Sequence, residues 1–367
     1  MAGIAGGSPA TATTGADRRP PPDGVVRVGI VGATGYVGAE LIRILSRHPR
    51  VAIVGLQGRD RHGDPIGGIH AHLAGTGLAV ESDLPDVDAV FLALPHGASS
   101  PIAAAFVERG TAVIDLGPDF RLGDAADYPT WYGFEHTQPV LLGQAVYGLP
   151  EINGHRDQLS ALRHADVAIV GNPGCYPTAT LLAIAPLAGA GLIDGLVVDA
   201  KSGVSGAGRD PKPDLMFGEV NESVKAYGVD GHRHTAEIEQ ELAALGGPDG
   251  PVTFLPHLIP MTRGILSACH VLPTAPVEQA ALDELYHAAY DGEPFVTVVG
   301  AAPATKHVLG SNHARVFVHH DPRTGRILAI GVIDNLVKGA AGQAVQAFNL
   351  VHGLPETLGL EQLPLAP

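Results

Sequence analysis

After residues 1–24, the chain settles into an ordered alternation of apolar runs. Val25–Val31 is short and mostly apolar, ends at a glycine turn and reads as a buried strand. Val37, Leu41, Ile44 and Leu45 then recur at helical spacing, and Pro49 stops that helix. "VAIVGLQ", Asp88–Pro95 and Ala112–Gly117 read as further strands, with the helical "SSPIAAAFVERG" before the last. Strands alternating with helices predict parallel βαβ units joined by right-handed crossovers. The pattern loosens around "PDFRL" and "YPTWYGFEH", and Asp166–Gly174 closes this half as another strand.

Beyond it the pattern changes. "GLVVDAKSGVSGAG", "VTFLPHLIP", "ILSACHVLP", "FVTVVG", "ARVFVHHD" and "RILAIGVID" all read as strands. Helical spacing appears only in "HTAEIEQELAAL" and "PVEQAALDELYHAAY". Strands joined by a turn such as "DPRTGR" predict a mixed or antiparallel sheet, hence an α+β domain. "LVKGAAGQAVQAFNLVHG" near the end predicts one long amphipathic helix. The fold class is therefore α/β plus α+β: a Rossmann-type parallel-sheet domain followed by a domain on a mixed or antiparallel sheet.

With 45% apolar residues the chain has material for a large core. The formal charge of −15 argues against nucleic acid or an anionic membrane surface as partner. The Gly-, Ala-, Thr- and Pro-rich residues 1–24 predict a disordered tail and lack a signal peptide's apolar block. The most apolar segment, Ala179–Ile193, is too short and too broken by Gly and Pro to span a bilayer. Two cysteines make no disulfide framework, which fits a reducing cytoplasm. Neither a cysteine pair nor an H-E-x-x-H string supports a metal.

Gly32, Gly35 and Gly38 fall between the first strand and the first helix. A G-x-x-G-x-x-G in that position permits a tight turn, close approach of backbone to a pyrophosphate, and close helix–strand packing. The helix start then offers N–H groups to the anion. Candidate dinucleotide contacts are Gly32, Thr34, Gly35, Tyr36, Val37 and Gly38, with Pro95 at the end of a neighbouring strand. The second strand ends "LQGRDRHG", without an acidic residue at its tip, and Arg59 and Arg61 follow. Arginine suits a 2′-phosphate, so NADP is favoured over NAD, with Asp60 between the two arginines as the contrary sign.

Cys175, in "NPGCYPTAT", ends a predicted strand and opens a helix. That position predicts a thiolate stabilised by the helix N-terminus, hence a nucleophile. Cys269, inside "GILSACHVL", reads as core. A nucleophilic thiol beside a nicotinamide suggests thioester chemistry, in which hydride moves between the acyl carbon and the cofactor. The step needs an acid/base. His234 in "DGHRHTAEIEQEL" is a candidate, with Thr235 as expected N-cap and Glu237 and Glu239 in the first turn. Among 18 histidines the spacing alone does not single it out.

"GATGYVGAELIRIL", "LALPHGAS", "GNPGCYPTA", "GVSGAGR", "GHRHTAEIEQ", "PMTRGIL" and "DNLVKGAAGQAVQ" run in an order that resembles the N-acetyl-gamma-glutamyl-phosphate reductases of arginine biosynthesis. The resemblance spans about Val26–Gly353. It implies an NADPH-dependent homo-oligomer, a dimer or tetramer. It also implies reduction of N-acetyl-L-glutamyl 5-phosphate to the 5-semialdehyde with release of phosphate. By the same resemblance Cys175 is the nucleophile and His234 the acid/base. Asn335 would lie near the nicotinamide, and the C-terminal helix would return to the first domain. The expected division is a tail (1–24), a discontinuous NADP domain (25–172 with 335–367), and a catalytic and oligomerisation domain (173–334). Arg121 is the candidate for the phosphoryl group, with Lys201, Ser202 and Arg263 as further substrate candidates. Gly117-Pro118 and Ala236 depart from the family's usual Ser-Ala and proline. Two rival readings stand beside this one. The first is a paralogue acting on carrier-linked aminoadipyl or glutamyl phosphate. The second is a non-catalytic NADP sensor with Cys175 as a redox switch.

Overall fold

The computed structural model describes residues 17–21, 24–248 and 250–366. Two seven-stranded sheets organise it. The first comprises β1 (Val26–Val31), β2 (Val51–Gln57), β3 (Val80–Glu81), β4 (Ala89–Leu92), β5 (Ala112–Asp115), β6 (Val146–Tyr147) and β7 (Ile169–Gly171). Its order is β3-β2-β1-β4-β5-β7-β6, and every pairing is parallel. β4 and β5 are buried at every position, as a parallel sheet covered on both faces requires. Ala89 and Phe91 pack into one core and Val90 and Leu92 into the other, following strand alternation. The strand order reverses between β1 and β4, which opens a crevice at their carboxyl ends.

The second sheet comprises β8 (Ile193–Ser202), β9 (Lys225–Ala226), β10 (Thr253–Leu258), β11 (Ile265–Pro273), β12 (Val296–Val298), β13 (Ala314–Asp321) and β14 (Arg326–Ile333). It is mixed: β8, β11, β14 and β13 pair antiparallel, while β10 joins β8 in parallel. The helix Cys175–Gly189 links the two sheets and packs across β11, β13 and β14. Tyr176 through Ala188 are all buried in it, so it is apolar all round, as an interior helix must be. Leu181, Leu182, Ile184 and Leu187 are fully buried and stabilise it by about 1.5–3 kcal/mol each. A side chain on Gly331 would lie 2.1 Å from the Ala179 carbonyl, so β14 meets this helix backbone to backbone.

The predicted strands all form, with ends trimmed by a few residues. The two-residue strands β3, β6 and β9 carry too little periodicity to be read in advance. The C-terminal segment corrects the expected single helix. It opens on a π-helical turn, Val337–Ala341, before the α-helix Gly342–Val351. In that turn Gly339 N–H donates to Asp334 O and Ala341 N–H to Leu336 O, both at 2.9 Å. Lys338 within it is fully buried and held by Glu151 at 2.6 Å and by the Gln346 side-chain oxygen at 2.7 Å. Val345 and Phe348 of the following helix pack with Leu41 and Phe91 in the core of the first sheet.

Residues 1–16, 22 and 23 of the predicted tail lie outside the described residues. Arg18, in the described part, donates to the carbonyls of Leu162 at 3.0 Å and Asp166 at 3.3 Å. Among the described residues no helix is long and apolar enough to cross a membrane.

Candidate active site

β7 ends at Gly171, and Asn172-Pro173-Gly174 turn the chain into the helix that Cys175 begins. Cys175 is half-buried. A Cβ on Gly174 would sit 2.5 Å from His234 Nε2, so the imidazole lies directly over the peptide preceding the thiol. Gly339 closes the other side: its Cβ would fall 2.8 Å from Cys175 Cβ. Cysteine and histidine thus come together from elements far apart in sequence.

A buried carboxylate fixes this arrangement. Glu237 sits one turn after His234 on the same helix face. Its Oε1 accepts from Gly174 N–H and from Tyr147 Oη, both at 2.7 Å. Arg121 Nη1 approaches its Oε2 at 3.8 Å. Burial pushes the Glu237 pKa up, against Arg121 and these two donors. Burial opposes the charge on Arg121, but Glu237 together with Tyr132, Asp115 and Tyr147 favours it, and the guanidinium stays charged.

The thiol differs from the sequence expectation. Burial raises the Cys175 pKa above the usual thiol value; Arg121, the Tyr176 N–H and Arg233 only oppose that rise. The helix start therefore does not leave a resting thiolate. Burial, followed by His232, Arg121 and Arg233, drives the His234 pKa well below its ordinary value. His234 is a neutral base, and its Nδ1 has no protein partner among the described residues. His232 Nδ1 accepts from His234 N–H at 3.1 Å, and burial lowers the His232 pKa to about 4. The helix starts at His234 with Arg233 at the cap position, so Thr235 is not the cap. Glu239 lies beyond the first turn and accepts from Val252 N–H at 2.8 Å. Cys269 is core, as expected; burial raises its pKa to about 12.

The glycine turn follows β1. Gly32 has φ +83°, and a Cβ there would lie 2.2 Å from the Ala93 carbonyl. A Cβ on Gly38 would lie 2.5 Å from Gly32 O, which is the close helix–strand packing expected. Gly35 is different: the nearest atom to its Cβ position is Gly32 O at 3.6 Å, leaving room above it. No side chain caps the helix Tyr36–Leu45 that starts there. This open, uncapped helix start fits a dinucleotide pyrophosphate. Tyr36, 40% exposed, and the half-buried Thr34 and Val37 border it, and Pro95 follows β4 on the same edge. Arg59 is exposed, whereas Arg61 (φ 70°) is ion-paired with Asp64.

The other candidates scatter. Asn335 is buried between the Gly264 N–H, at 2.7 Å to its Oδ1, and Ser205 Oγ, at 3.0 Å from its Nδ2. Ser202 faces the same side of β8 as Ala200, toward the Cys175 helix, and is 3% exposed. Lys201 points to the opposite face and pairs with Asp199 at 2.5 Å, so strand alternation carries it away from the thiol. Arg263 is pinned to Glu40 at 2.9 Å and approaches Asp334 at 3.7 Å. It ties the first helix to the second sheet. Arg121 donates from Nε to Asn172 O at 2.7 Å and from Nη2 to Leu116 O at 2.9 Å, behind the Cys175 turn. Glu237, Tyr147, Arg233 and Gly339 were not among the sequence candidates. Only Glu237 left a signal, its place one helical turn after His234. The carboxylates Glu151, Glu293 and Glu356, which approach one another closely, are neutralised by Arg156 and Lys338.

Comparison with known proteins agrees with this architecture. Residues 27–161 match the NAD binding domain of the semialdehyde dehydrogenases, and residues 175–335 match their dimerisation domain. The N-acetyl-gamma-glutamyl-phosphate reductase of Heliobacterium modesticaldum is 50% identical over 358 residues, covering 94% of this chain and all of that protein. The Desulforudis audaxviator protein of the same name is 51% identical over 346 residues, covering 92% and 98%. Among solved structures, aspartate semialdehyde dehydrogenase II of Vibrio cholerae superposes with a TM-score of 0.68 at 21% identity, over 89% of this chain and 98% of that one. The Candida albicans aspartate semialdehyde dehydrogenase, solved with NADP, gives 0.66 at 16% over the same shares. The structures share the fold, while the sequence relatives, at about half identity, cover 92–94% of this chain: the chain belongs to the N-acetyl-gamma-glutamyl-phosphate reductase family.

Proposed function

We propose that this chain reduces N-acetyl-L-glutamyl 5-phosphate to N-acetyl-L-glutamate 5-semialdehyde, with release of phosphate, through a thioester on Cys175. The observation that carries the reading is His234 Nε2 lying over Gly174, next to Cys175; burial raises the thiol pKa and lowers that of the imidazole, which favours a neutral pair. As the sulfur attacks the acyl carbon, its proton passes to His234, and the carbon–oxygen bond to phosphate breaks. NADPH, when bound at the Gly35 opening, supplies the hydride that reduces the thioester carbonyl. His234 returns its proton to the oxygen of the resulting thiohemiacetal, whose collapse frees the aldehyde and the thiol. Glu237 acts at one remove, fixing the Gly174 peptide and, through its own helix, the imidazole. Arg121 supplies positive potential from behind the turn. Arg233 is exposed by surface area and outside every ion pair among the described residues, although partial desolvation and Arg121 lower its pKa; it is the guanidinium open to the phosphoryl group.

The same reading divides the chain into residues 25–172 with 335–367, which bind NADPH, and residues 173–334, which hold the catalytic and self-association surfaces. Val197 and Leu272, each about 40% exposed on the face of the second sheet away from the Cys175 helix, favour that face for a homodimer or tetramer. The two free cysteines fit a cytoplasmic site of action.

The reverse assay tests the proposal. N-acetylglutamate semialdehyde, NADP and phosphate should together yield NADPH, and omission of any one should abolish it. NADPH formation that persists without phosphate would exclude acyl-phosphate chemistry.

A further inference from the structure

We infer that Arg209, on the loop after β8, binds the 2′-phosphate of NADPH from across the cleft between the sheets. The inference rests on the NADPH reading above. Arg209 Nη1 donates to the carbonyl of Thr34, in the glycine turn, at 3.4 Å. This is long for a guanidinium bond, and four other N–H donors of the group remain. The same carbonyl already accepts from His70 Nε2 at 3.0 Å. The carbonyl selects the tautomer with the proton on Nε2, so the His70 bond persists even though burial lowers the ring's pKa. Arg209 can therefore leave Thr34 without orphaning a buried oxygen. It is exposed and pairs with no carboxylate among the described residues.

Its position points to the adenosine end of the cofactor. The Thr34 methyl lies 3.0 Å from where a Cβ on Gly58 would stand, and Gly58 directly follows β2. In this topology the residues after the second strand meet the ribose 2′ position. Of the groups already there, Gln57 donates to Ser82 O at 2.8 Å and Arg61 pairs with Asp64, which leaves the exposed Arg59 to share the phosphate with Arg209. A planar, permanently charged fork suits a phosphate dianion at this point better than a lone carbonyl does. Because Arg209 belongs to the chain segment of the second sheet, cofactor recognition would also draw the two sheets together.

Binding titrations on the full-length protein test this without turnover, using NADPH, NADH, 2′,5′-ADP and 5′-AMP as probes. The wild type should prefer 2′,5′-ADP to 5′-AMP. Arg209→Met should weaken 2′,5′-ADP and NADPH by about 10- to 100-fold, the loss of one charge-assisted contact, while 5′-AMP and NADH hold. Arg209→Lys should keep part of the preference, and the melting temperature without nucleotide should not move. Undiminished discrimination in Arg209→Met would overturn the inference alone. Equal losses of NADPH and NADH would overturn it too, placing the arginine on the pyrophosphate. A wild type indifferent to the 2′-phosphate would remove the NADPH reading itself.

Discussion

Two strand-to-helix turns on the same parallel sheet bear the chemistry, and they are built on opposite principles. The turn after β1 works by subtraction. Its glycines clear space, no side chain caps the helix, and the backbone is left open to an anion. The turn after β7 works by enclosure. Gly174 is roofed by His234, its N–H is taken by Glu237, and Gly339 presses on the following residue. A backbone site needs only local sequence, whereas a proton-transfer site needs side chains placed by the rest of the molecule.

The sharpest break of this comparison is Cys175→Ser. A serine hydroxyl with the same neighbours should lower turnover by about 10³-fold or more while NADPH binding is retained. Stopped-flow turnover beside an equilibrium titration separates the two. A smaller effect is expected from a paired substitution at the two helix-capping glycines. Gly174→Ala must displace the imidazole and should cost about 10²-fold in kcat, the usual result of misplacing a catalytic group by an ångström. Gly35→Ala meets no protein atom closer than 3.6 Å and should leave the fold intact while raising the Kd for NADPH. If Gly174→Ala altered only KM, enclosure would not be its role.

Acid stability offers a third test. Burial disfavours the charged forms of His232 and His352 and lowers the pKa of each to about 4. Each gains a proton on unfolding between about pH 6.5 and 4, so stability falls as pH drops through that window. For each histidine the slope approaches about 1 kcal/mol per pH unit. Replacing either with Gln should flatten the dependence of unfolding free energy on pH, as measured by urea titration at pH 7 and 5. The smallest effect belongs to Lys201→Ala. Its partner Asp199 is also partly exposed, so activity should change by less than about twofold. A large loss would return Lys201 to the site.

The first turn was legible because its logic is a string of glycines between a strand and a helix. The Cys175 helix was legible for a similar reason: its apolar run and entry proline are local. The protonation state of the thiol was not. A helix start argues for a thiolate, yet burial reverses this, with His234 over Gly174 and Gly339 against Cys175 brought in from distant parts of the chain. Glu237 was visible only as a charge near a helix end, since nothing in its neighbourhood announces Gly174. Lys201 was misplaced because "AKSG" does not tell which of two alternating residues faces the helix until the neighbouring strands are aligned. The π-helical turn read as ordinary helix because its apolar spacing continues smoothly into Gly342–Val351.

That last turn has a consequence for the order in which the enzyme comes into being. Gly339, which closes the space beside the sulfur, leaves the ribosome long after Cys175, and the helix that anchors it follows later still. A nascent chain already carries its cysteine and both sheets, yet the pocket has one wall missing. The space beside the sulfur is therefore complete only once Val337–Val351 has been made and has packed against the first sheet.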